Sequence, residues 1–553
     1  MTNMTVTIAI LAAALTSSPA PRPAQSDTAA TTAWSAAAAC ASLTDADFTG
    51  VLDAPTQITG AKLLAAHGDV SEYCEVVGYV TPTVGFLLAL PSEHWNGKFL
   101  ELGCGGFCGG SLTGANEEKW GYFVGPLSHG YALLMFDGGH AVGGFSASWA
   151  YNNLEVQFDF GIRAPHVAAL AGKAITEHYY NRALNKSYFC GCSTGGGQAL
   201  SEAQRYPWDF DGIISGAPSP TFSGPMTYYL WAGRALAGTV NRADLQLLHD
   251  RAVAQCDMDD GIKDGVIGDP LHCNVDPAEL LCKSGQTADC LTAAKVTAVK
   301  RVYSGPTTSK GERISTGGPL PGSELNWISD SDDPSGAYVY GSGAVAPWSG
   351  EYFSYVGFMP APGPSWKPAD FDFDRDYKRL RMAESLFGGA DNPDLRKFKA
   401  AGGKLLMYQG GQDQSDIPTD AIDYYETAEK TMGGRVATQD FFRLFVIPGM
   451  DHCTGGAGPF AIDYLNYLET WVEQGRPPEM MLGAHVDDTY LAQRSEIDGH
   501  RYGARIGAYL LKLPLDPAIP VTFTRTIYPY PLRAKYRGTG DPRDAANFTP
   551  VKP

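Results

Sequence analysis

One stretch leaves the backbone little choice. The run Ser187-Tyr188-Phe189-Cys190 ends in Gly191-Cys192-Ser193-Thr194-Gly195, and Gln198-Ala199-Leu200-Ser201-Glu202-Ala203 behind it is a good helix start. Strand, G-x-S-x-G turn and helix in that order predict a nucleophile elbow. Only small residues fit beside the serine in such a turn, and its hydroxyl is pushed out above the sheet edge. The Thr194 N–H then sits at a helix N-terminus, aimed where an oxyanion would form. A plain Gly/Ser loop is the alternative for the same letters, and the strand and helix on the correct sides decide for the nucleophile.

The surroundings fit a sheet covered by helices. Residues 85–90, 98–102, 132–136 and 212–216 are short apolar runs that read as strands, and 164–180 reads as an amphipathic helix. Buried strands separated by helices argue a parallel sheet with helices on its faces. The length of 553 residues exceeds a single core, since cores stop growing near ~250–300 residues. Two domains, or one domain with a large insertion, follow. From about 220 to 370 the rhythm breaks into an acidic loop, four cysteines and a Gly/Ser/Pro-rich stretch carrying Trp327, Trp348, Tyr352, Phe353, Tyr355 and Phe358. Such a run is too long for a connection and reads as an inserted lid or binding domain. Most of its aromatics form a small core of their own, and a few facing the elbow suffice to bind a planar ligand. Sheet rhythm returns at 403–408 and 442–447, a helix follows over 461–474, and the rest is loop-rich with a polar tail. The expected division is 1–30 leader, 31–219 core, 220–370 lid and 371–553 core.

A serine nucleophile on this fold expects its partners in the order Ser, Asp/Glu, His, each just past a strand. His452 follows the 442–447 strand through Pro448-Gly449-Met450-Asp451, whereas His485 and His500 lie in polar segments without a preceding strand. Asp413, Asp416 and Asp420 follow the 403–408 strand. Asp420 is more simply the N-cap of a helix over 421–430, and Asp416, which precedes Ile417-Pro418 where a turn residue would stand, is the second candidate for the acid. Asp413, nearest the strand end, is assigned to orient His452. Cys192 precedes the serine and Cys453 follows the histidine. Where Ser and His touch, these neighbours come within disulfide range, about 4.4–6.8 Å between Cα atoms.

Charge and cysteines bound the rest. The formal net charge of −18, with no basic run, argues against nucleic acid and anionic membrane surfaces as partners. Residues 6–15 are apolar and precede a Pro/Ala/Ser/Thr-rich stretch, as in a signal peptide with a flexible leader, although residues 1–4 carry no Lys or Arg. A mis-assigned start or a cytosolic tail are the alternatives. The 11 cysteines favour export, secreted or periplasmic: Cys256, Cys273, Cys282 and Cys290 sit in polar loops without the paired spacing of a zinc site. No other stretch approaches the ~18 apolar residues of a membrane helix.

With these motifs in place, the chain resembles the tannase/feruloyl esterase family of α/β-hydrolases, which also contains the enzyme that splits mono(2-hydroxyethyl) terephthalate. The matches are GCSTGG (191–196), DGIISGAP (211–218), VIPGMDHC (446–453) and DAANF (544–548), and they span about 40–548. The resemblance implies an α/β-hydrolase core with a lid inserted between nucleophile and acid, and a Cys-Ser…Asp…His-Cys arrangement in Cys192-Ser193, Asp413 and His452-Cys453. It implies disulfides Cys40–Cys74, Cys192–Cys453, Cys256–Cys273 and Cys282–Cys290. Relatives often carry one more bridge near the C-terminus, where this chain has Tyr528 and Thr549. Cys104, Cys108 and Cys190 remain, and a Cys104–Cys108 bridge would leave Cys190 a thiol on the elbow strand. A structural calcium site is also implied, with Asp257, Asp260 and Asp264 and the carbonyls of Ile262 and Val266 as ligands. Read alone, that loop lacks the Gly and Glu positions of an EF-hand, yet its carboxylates on a Gly-turned loop are the hard oxygen donors calcium prefers. A solvated acidic loop is the plain alternative.

The loop Gly103-Cys104-Gly105-Gly106-Phe107 follows the 98–102 strand, the place from which this fold draws its second oxyanion donor. Gly106 is favoured, with Gly105 next to it. The expectation is an exported serine carboxylesterase acting on small esters of aromatic acids, feruloyl or related hydroxycinnamoyl and galloyl esters, with no redox cofactor. A terephthalate half-ester is the lesser option, because no arginine lies between Arg313 and Arg375 to meet a second carboxylate. A non-catalytic binding protein and an acyltransferase on the same fold are the other readings.

Overall fold

The computed structural model describes residues 34–66, 70–110, 124–328, 347–490 and 519–553, so the leader expected over 1–30 lies outside the described residues. Nine strands form one sheet: β1 (Thr56–Leu64), β2 (Tyr73–Val80), β3 (Val84–Pro91), β4 (Lys98–Leu102), β5 (Ala132–Phe136), β6 (Lys186–Cys192), β7 (Gly212–Gly216), β8 (Lys404–Gly410) and β9 (Phe442–Ile447). Their order is β1-β2-β3-β5-β4-β6-β7-β8-β9. Neighbours from β5 to β9 are parallel, but β1–β2, β2–β3 and β3–β5 are antiparallel. The sheet is therefore mixed, not wholly parallel as the strand and helix rhythm predicts. The links joining β1, β2 and β3 are too short for the crossover that a parallel pair requires.

In the parallel half, alternate residues enter two apolar layers, as the period of two along a strand demands. Phe99, Phe189, Ile213, Leu405 and Phe442 pack with residues of the helix Ala164–Tyr180. Leu100, Tyr188, Ile214, Leu406 and Phe445 pack with residues of the helix Tyr464–Gln474 on the other layer. A strand buried on both sides has no polar face, which is why these runs read as continuous apolar segments.

The chain moves from β4 to one neighbour, β5, and then returns to β4's other side as β6. Strand order reverses there, and the loops after β4 and β6 leave the same edge, the place where open α/β sheets hold ligands. Between β7 and β8 the chain makes a long excursion, residues 217–403, with helices Ser223–Leu236, Arg242–Cys256, Ala293–Ser304 and Asp376–Phe387. Its aromatics do form a core: Trp327, Trp348, Tyr352, Phe353 and Phe358 are buried together with Tyr228 and Tyr229. Phe107, from the loop after β4, is buried in the same cluster, so the excursion is packed onto the sheet's loops. Residues Ala36–Pro553 form one compact unit.

Three local readings change. The segment after Gln474 is not all loop: β10 (Met481–Val486) pairs with β11 (Val521–Ile527), and β12 (Arg533–Tyr536) with β13 (Phe548–Val551). These are short two-stranded ribbons of mixed polarity, which give little alternation to read, and His485 consequently lies on a strand. The helix expected over 461–474 starts at Tyr464, because Asp463 caps it by accepting from Asn466 N and Ala461 bridges Ala484 instead. The helix expected over 421–430 starts at Pro418, a residue suited to the first helical turn, which places Asp420 inside that turn and not at the cap. Among the described residues no helix is long and apolar enough to cross a membrane.

Candidate active site

Ser193 stands between β6 and the helix Thr194–Arg205 with φ 63° and ψ −123°. A non-glycine residue there is strained, and such strain persists only where the surroundings enforce it. Here they do. Ser193 N donates to Gly216 O on β7 at 3.0 Å, and Ser193 O accepts from Gly197 N at 3.0 Å. The flanking glycines are required by close approach: a Cβ on Gly191 would stand 2.3 Å from Gly195 O, and one on Gly196 would stand 2.2 Å from Gly216 O. The serine Oγ is buried and has no hydrogen-bond partner among the described residues. The elbow read from the sequence is present.

His452 follows β9 on the turn after Ile447, and Asp413 follows β8. His452 Nδ1 lies 3.1 and 3.0 Å from the two carboxylate oxygens of Asp413. Asp413 is fully buried and heavily held: Oδ1 accepts from Ser415 N at 2.8 Å and Asp416 N at 3.0 Å, and Oδ2 from Gln409 Nε2 at 3.0 Å. A carboxylate satisfied on all sides fixes which imidazole nitrogen carries the proton toward it. Burial pulls the imidazole pKa down, but the charge and hydrogen bond of Asp413, aided by Asp416 and Asp451, reverse this and push it up to about 9. Cys192 and Cys453 are disulfide-bonded with Cα atoms 5.9 Å apart. This bridge ties the residue before Ser193 to the residue after His452 across 261 positions of chain.

The loop after β4 is locked against the elbow helix. Cys104 and Cys108 are bridged, Cys104 N donates to Gln198 Oε1 at 3.1 Å, and Thr194 Oγ1 donates to Gly106 O at 2.6 Å. Phe107 N and Cys108 N donate to Gly144 O and Gly105 O. Gly105 and Gly106 are the loop residues whose N–H groups carry no such bond among the described residues. Gly106 has φ 57°, a conformation glycine adopts readily. Disulfides Cys40–Cys74, Cys256–Cys273 and Cys282–Cys290 are formed as well, and Cys190 is a buried free thiol.

A cavity borders Thr194, walled by Phe160, Phe222 and Tyr352 with Gln157, Gln198 and Glu384 at its polar positions. No Lys or Arg is among its described lining residues. Glu384 is already engaged: it accepts from Phe222 N, Ser223 N and the Ser223 hydroxyl, and pairs with Arg381 at 2.8 Å.

Two acidic groups bear on metals. In the loop expected to hold calcium, Asp257 and Asp260 are buried, and Asp257 Oδ1 accepts from Asp264 N and Gly265 N at 3.1 Å. Asp264 pairs with Arg525 of β11. Burial raises the Asp260 carboxyl to about 7; its bond from Ile262 N and Arg525 oppose this, while Asp264 and Asp257 add to it. Arg525 pairs with Asp264 and opposes the rise at Asp260, and no ion pair is formed by Asp257 or Asp260 among the described residues, so an added cation would offset their charge. The ligand atoms of Asp257, Asp260 and Asp264 do not all lie within 4.8 Å of one another; among the described residues only His166, Glu202 and Asp209 meet that condition. In that second group His166 Nδ1 lies 2.5 Å from Asp209 Oδ2, and the Lys173 ammonium donates to the backbone carbonyl of Asp209.

The sheet, its switch point and the long excursion define an α/β-hydrolase with a large lid inserted between β7 and β8. A family model for tannase and feruloyl esterase matches residues 68–551, and the chain belongs to that family. It is a carboxylic ester hydrolase. It is similar to an uncharacterized esterase of Xanthomonas campestris, 31% identical over 94% of this chain and 92% of that one. It is also similar to the mono(2-hydroxyethyl) terephthalate hydrolase of Piscinibacter sakaiensis, 29% identical over 89% and 87%. The crystal structure of feruloyl esterase B from Aspergillus oryzae superposes with a TM-score of 0.78 at 26% identity, covering 94% of this chain and 100% of that one.

Sequence reasoning weighs Asp416 as the second candidate for the acid and prefers Asp413; the structure keeps both at the histidine, with Asp416 Oδ2 3.6 Å from His452 Nδ1. Its spacing from Asp413 was visible, but nothing in the letters says that the loop folds both acids onto one imidazole. The bridge beside Ser193 and His452 yields a direct test. Replacing both Cys192 and Cys453 by Ala removes a cross-link of the size that contributes about 2–5 kcal/mol. Chemical denaturation of the double variant is expected to show a loss in that range, accompanied by a fall in kcat larger than any change in KM.

Proposed function

We propose that this chain is an exported serine carboxylesterase that hydrolyses esters of aromatic acids, hydroxycinnamoyl or galloyl, through an acyl-enzyme. The observation that carries the reading is the strained Ser193 joined through the Cys192–Cys453 bridge to a histidine that Asp413 holds. In this mechanism His452 Nε2 takes the Ser193 proton as Oγ attacks the ester carbonyl. The Thr194 and Gly106 N–H groups receive the developing oxyanion, a contribution of about 2.7–4 kcal/mol for each such donor. The imidazolium protonates the departing alcohol, the acyl group stays on Ser193, and water activated by the same imidazole releases the acid. Asp413 keeps Nδ1 protonated throughout. The five disulfides formed among the described residues support an oxidising compartment.

The aromatic walls beside Thr194 support a planar acyl group. A relative that splits a terephthalate half-ester favours a second reading, but such a substrate brings a second carboxylate. The described cavity residues include no cation to receive it, and Glu384 stands there instead. Residues 220–370 are the proposed lid over this site.

Asp257, Asp260 and Asp264, with the carbonyls of Ile262 and Val266, are the proposed calcium ligands. Calcium bound there would offset the charge of these acids and brace the lid loop. These residues make the brace themselves through Arg525 and the Cys256–Cys273 bridge.

Hydrolysis of methyl ferulate, methyl caffeate and methyl gallate is expected for the wild type, falling by about 10³-fold or more in Ser193→Ala. The neutral imidazole is the base and its pKa is raised to about 9. The rate is therefore expected to climb as pH rises through 7 to 9 and to fall toward pH 6. Equal rates in wild type and variant, or a rate that falls across that rise, would sink the mechanism. Chelation followed by differential scanning calorimetry tests the metal: calcium at one hundred times its Kd should restore about 2.7 kcal/mol of stability, and magnesium should not substitute.

A further inference from the structure

His452 faces two carboxylates. Asp413 meets Nδ1 at 3.0 Å, and Asp416 Oδ2 lies 3.6 Å from the same nitrogen. Asp416 is itself buried and held from three directions. Its N–H donates to Asp413 Oδ1 at 3.0 Å, its carbonyl accepts from Gln409 Nε2 on β8 at 3.0 Å, and its Oδ1 accepts the hydroxyl of Ser219 just beyond β7. Among the described residues, His452 is the only ion-pair partner of either acid. Other charges facing the group are Asp420, from the first turn of the helix Pro418–Thr431, and Asp451, beside the histidine.

Like charges disfavour each other's ionisation and an opposite charge favours it, so the Asp416 carboxyl and the His452 imidazole this close together lose their protons in shared steps. Burial raises the Asp416 carboxyl, the nearby His452 opposes this, and Asp413 adds to the rise. Held by Ser219, the Asp416 carboxylate stands 3.6 Å from His452 Nδ1, too far to replace Asp413 as its hydrogen-bond acceptor but near enough to stabilise the imidazolium through space.

We propose that Asp416 is a positioning residue that, clamped by Ser219, shares the His452 imidazole with Asp413 and sets the pH at which that imidazole becomes a neutral base. The proposal rests on the reading of His452 as the base for Ser193. When Asp416 is ionised, it favours the imidazolium that forms as Ser193 loses its proton, and it delays the return of the free base to higher pH. When Asp416 is protonated, only Asp413 supports that charge. The arrangement trades a stronger base for an onset of activity at higher pH.

Asp416→Asn keeps the shape and removes the charge. The test is an NMR titration of the His452 ring, its signal identified by loss in His452→Gln, run on wild type, Asp416→Asn and Ser219→Ala alongside the pH profile of kcat/KM on methyl ferulate. In Asp416→Asn the histidine midpoint and the acid limb of the profile are expected to move together to lower pH by about one unit, with the plateau kcat falling several-fold and KM little changed. Ser219→Ala, which releases the clamp, should shift the midpoint the same way by less, and it carries the test if Asp416→Asn does not fold. A folded Asp416→Asn whose midpoint and limb stay at the wild-type pH overturns the proposal, whatever esters are hydrolysed. If the midpoint shifts but wild type hydrolyses no ester, the coupling of Asp416 to His452 stands and the esterase reading fails.

Discussion

The backbone at Ser193 is the constraint from which the rest of the site follows. A serine at φ 63° is unfavourable on its own, and it is held by a hydrogen bond to β7, by a helix starting at the next residue, and by glycines packed at contact distance. Those contacts require the loop after β4 to be pinned to the same helix, which Gln198, Thr194 and the Cys104–Cys108 bridge do. They also require the loop after β9 to come to the elbow, and the Cys192–Cys453 bond fixes that covalently. Three loops from three parallel strands thus converge at one sheet edge, where strand order reverses.

This accounts for the division of labour along the chain. The sheet, with apolar residues on both faces, is the rigid element, and sites carried on rigid elements hold their geometry best. The excursion between β7 and β8 has an aromatic core of its own and, among the described residues, brings Phe222, Tyr352 and Glu384 to the cavity beside Thr194. In the proposed function, selectivity among esters falls to this part of the chain, which can vary without disturbing the elbow. The acidic loop that begins at Asp257–Asp260 lies in the first part of that excursion and is fastened to β11 through the Asp264–Arg525 pair, which joins the excursion to the C-terminal ribbons.

Most of the central architecture was legible in the sequence because its signals are local. The apolar runs at β3, β4, β5, β7 and β9, and the G-x-S-x-G turn, each announce themselves within a few residues. The order Ser193, Asp413, His452 came from the fold that the elbow implied, and the flanking cysteines supported it. What stayed hidden depends on distant contacts. β1 to β3 are the exception, since the short links between them set their antiparallel pairing locally. β10 to β13 are short, β10 nearly all buried and β11 to β13 partly exposed, so none shows a clean alternation. Asp420 reads as a helix cap from its position, yet Pro418 starts the helix and Asp420 accepts from Thr316. Asp416 reads as the second choice for the acid, and only the convergence of β7, β8 and β9 shows that it reaches His452 beside Asp413. Glu101 and Glu202 are wholly buried, where burial raises both carboxyls far above their ordinary range, and no local pattern on β4 or the elbow helix foretells it.

The central claim is that the strained serine is an activated nucleophile. The most direct measurement is mass spectrometry of the full chain after treatment with a fluorophosphonate, followed by peptide mapping. The account predicts one phosphonyl group per chain, on the peptide holding Ser193 and absent from Ser193→Ala. A folded protein that takes up no phosphonate, or takes it up at another residue, would contradict it.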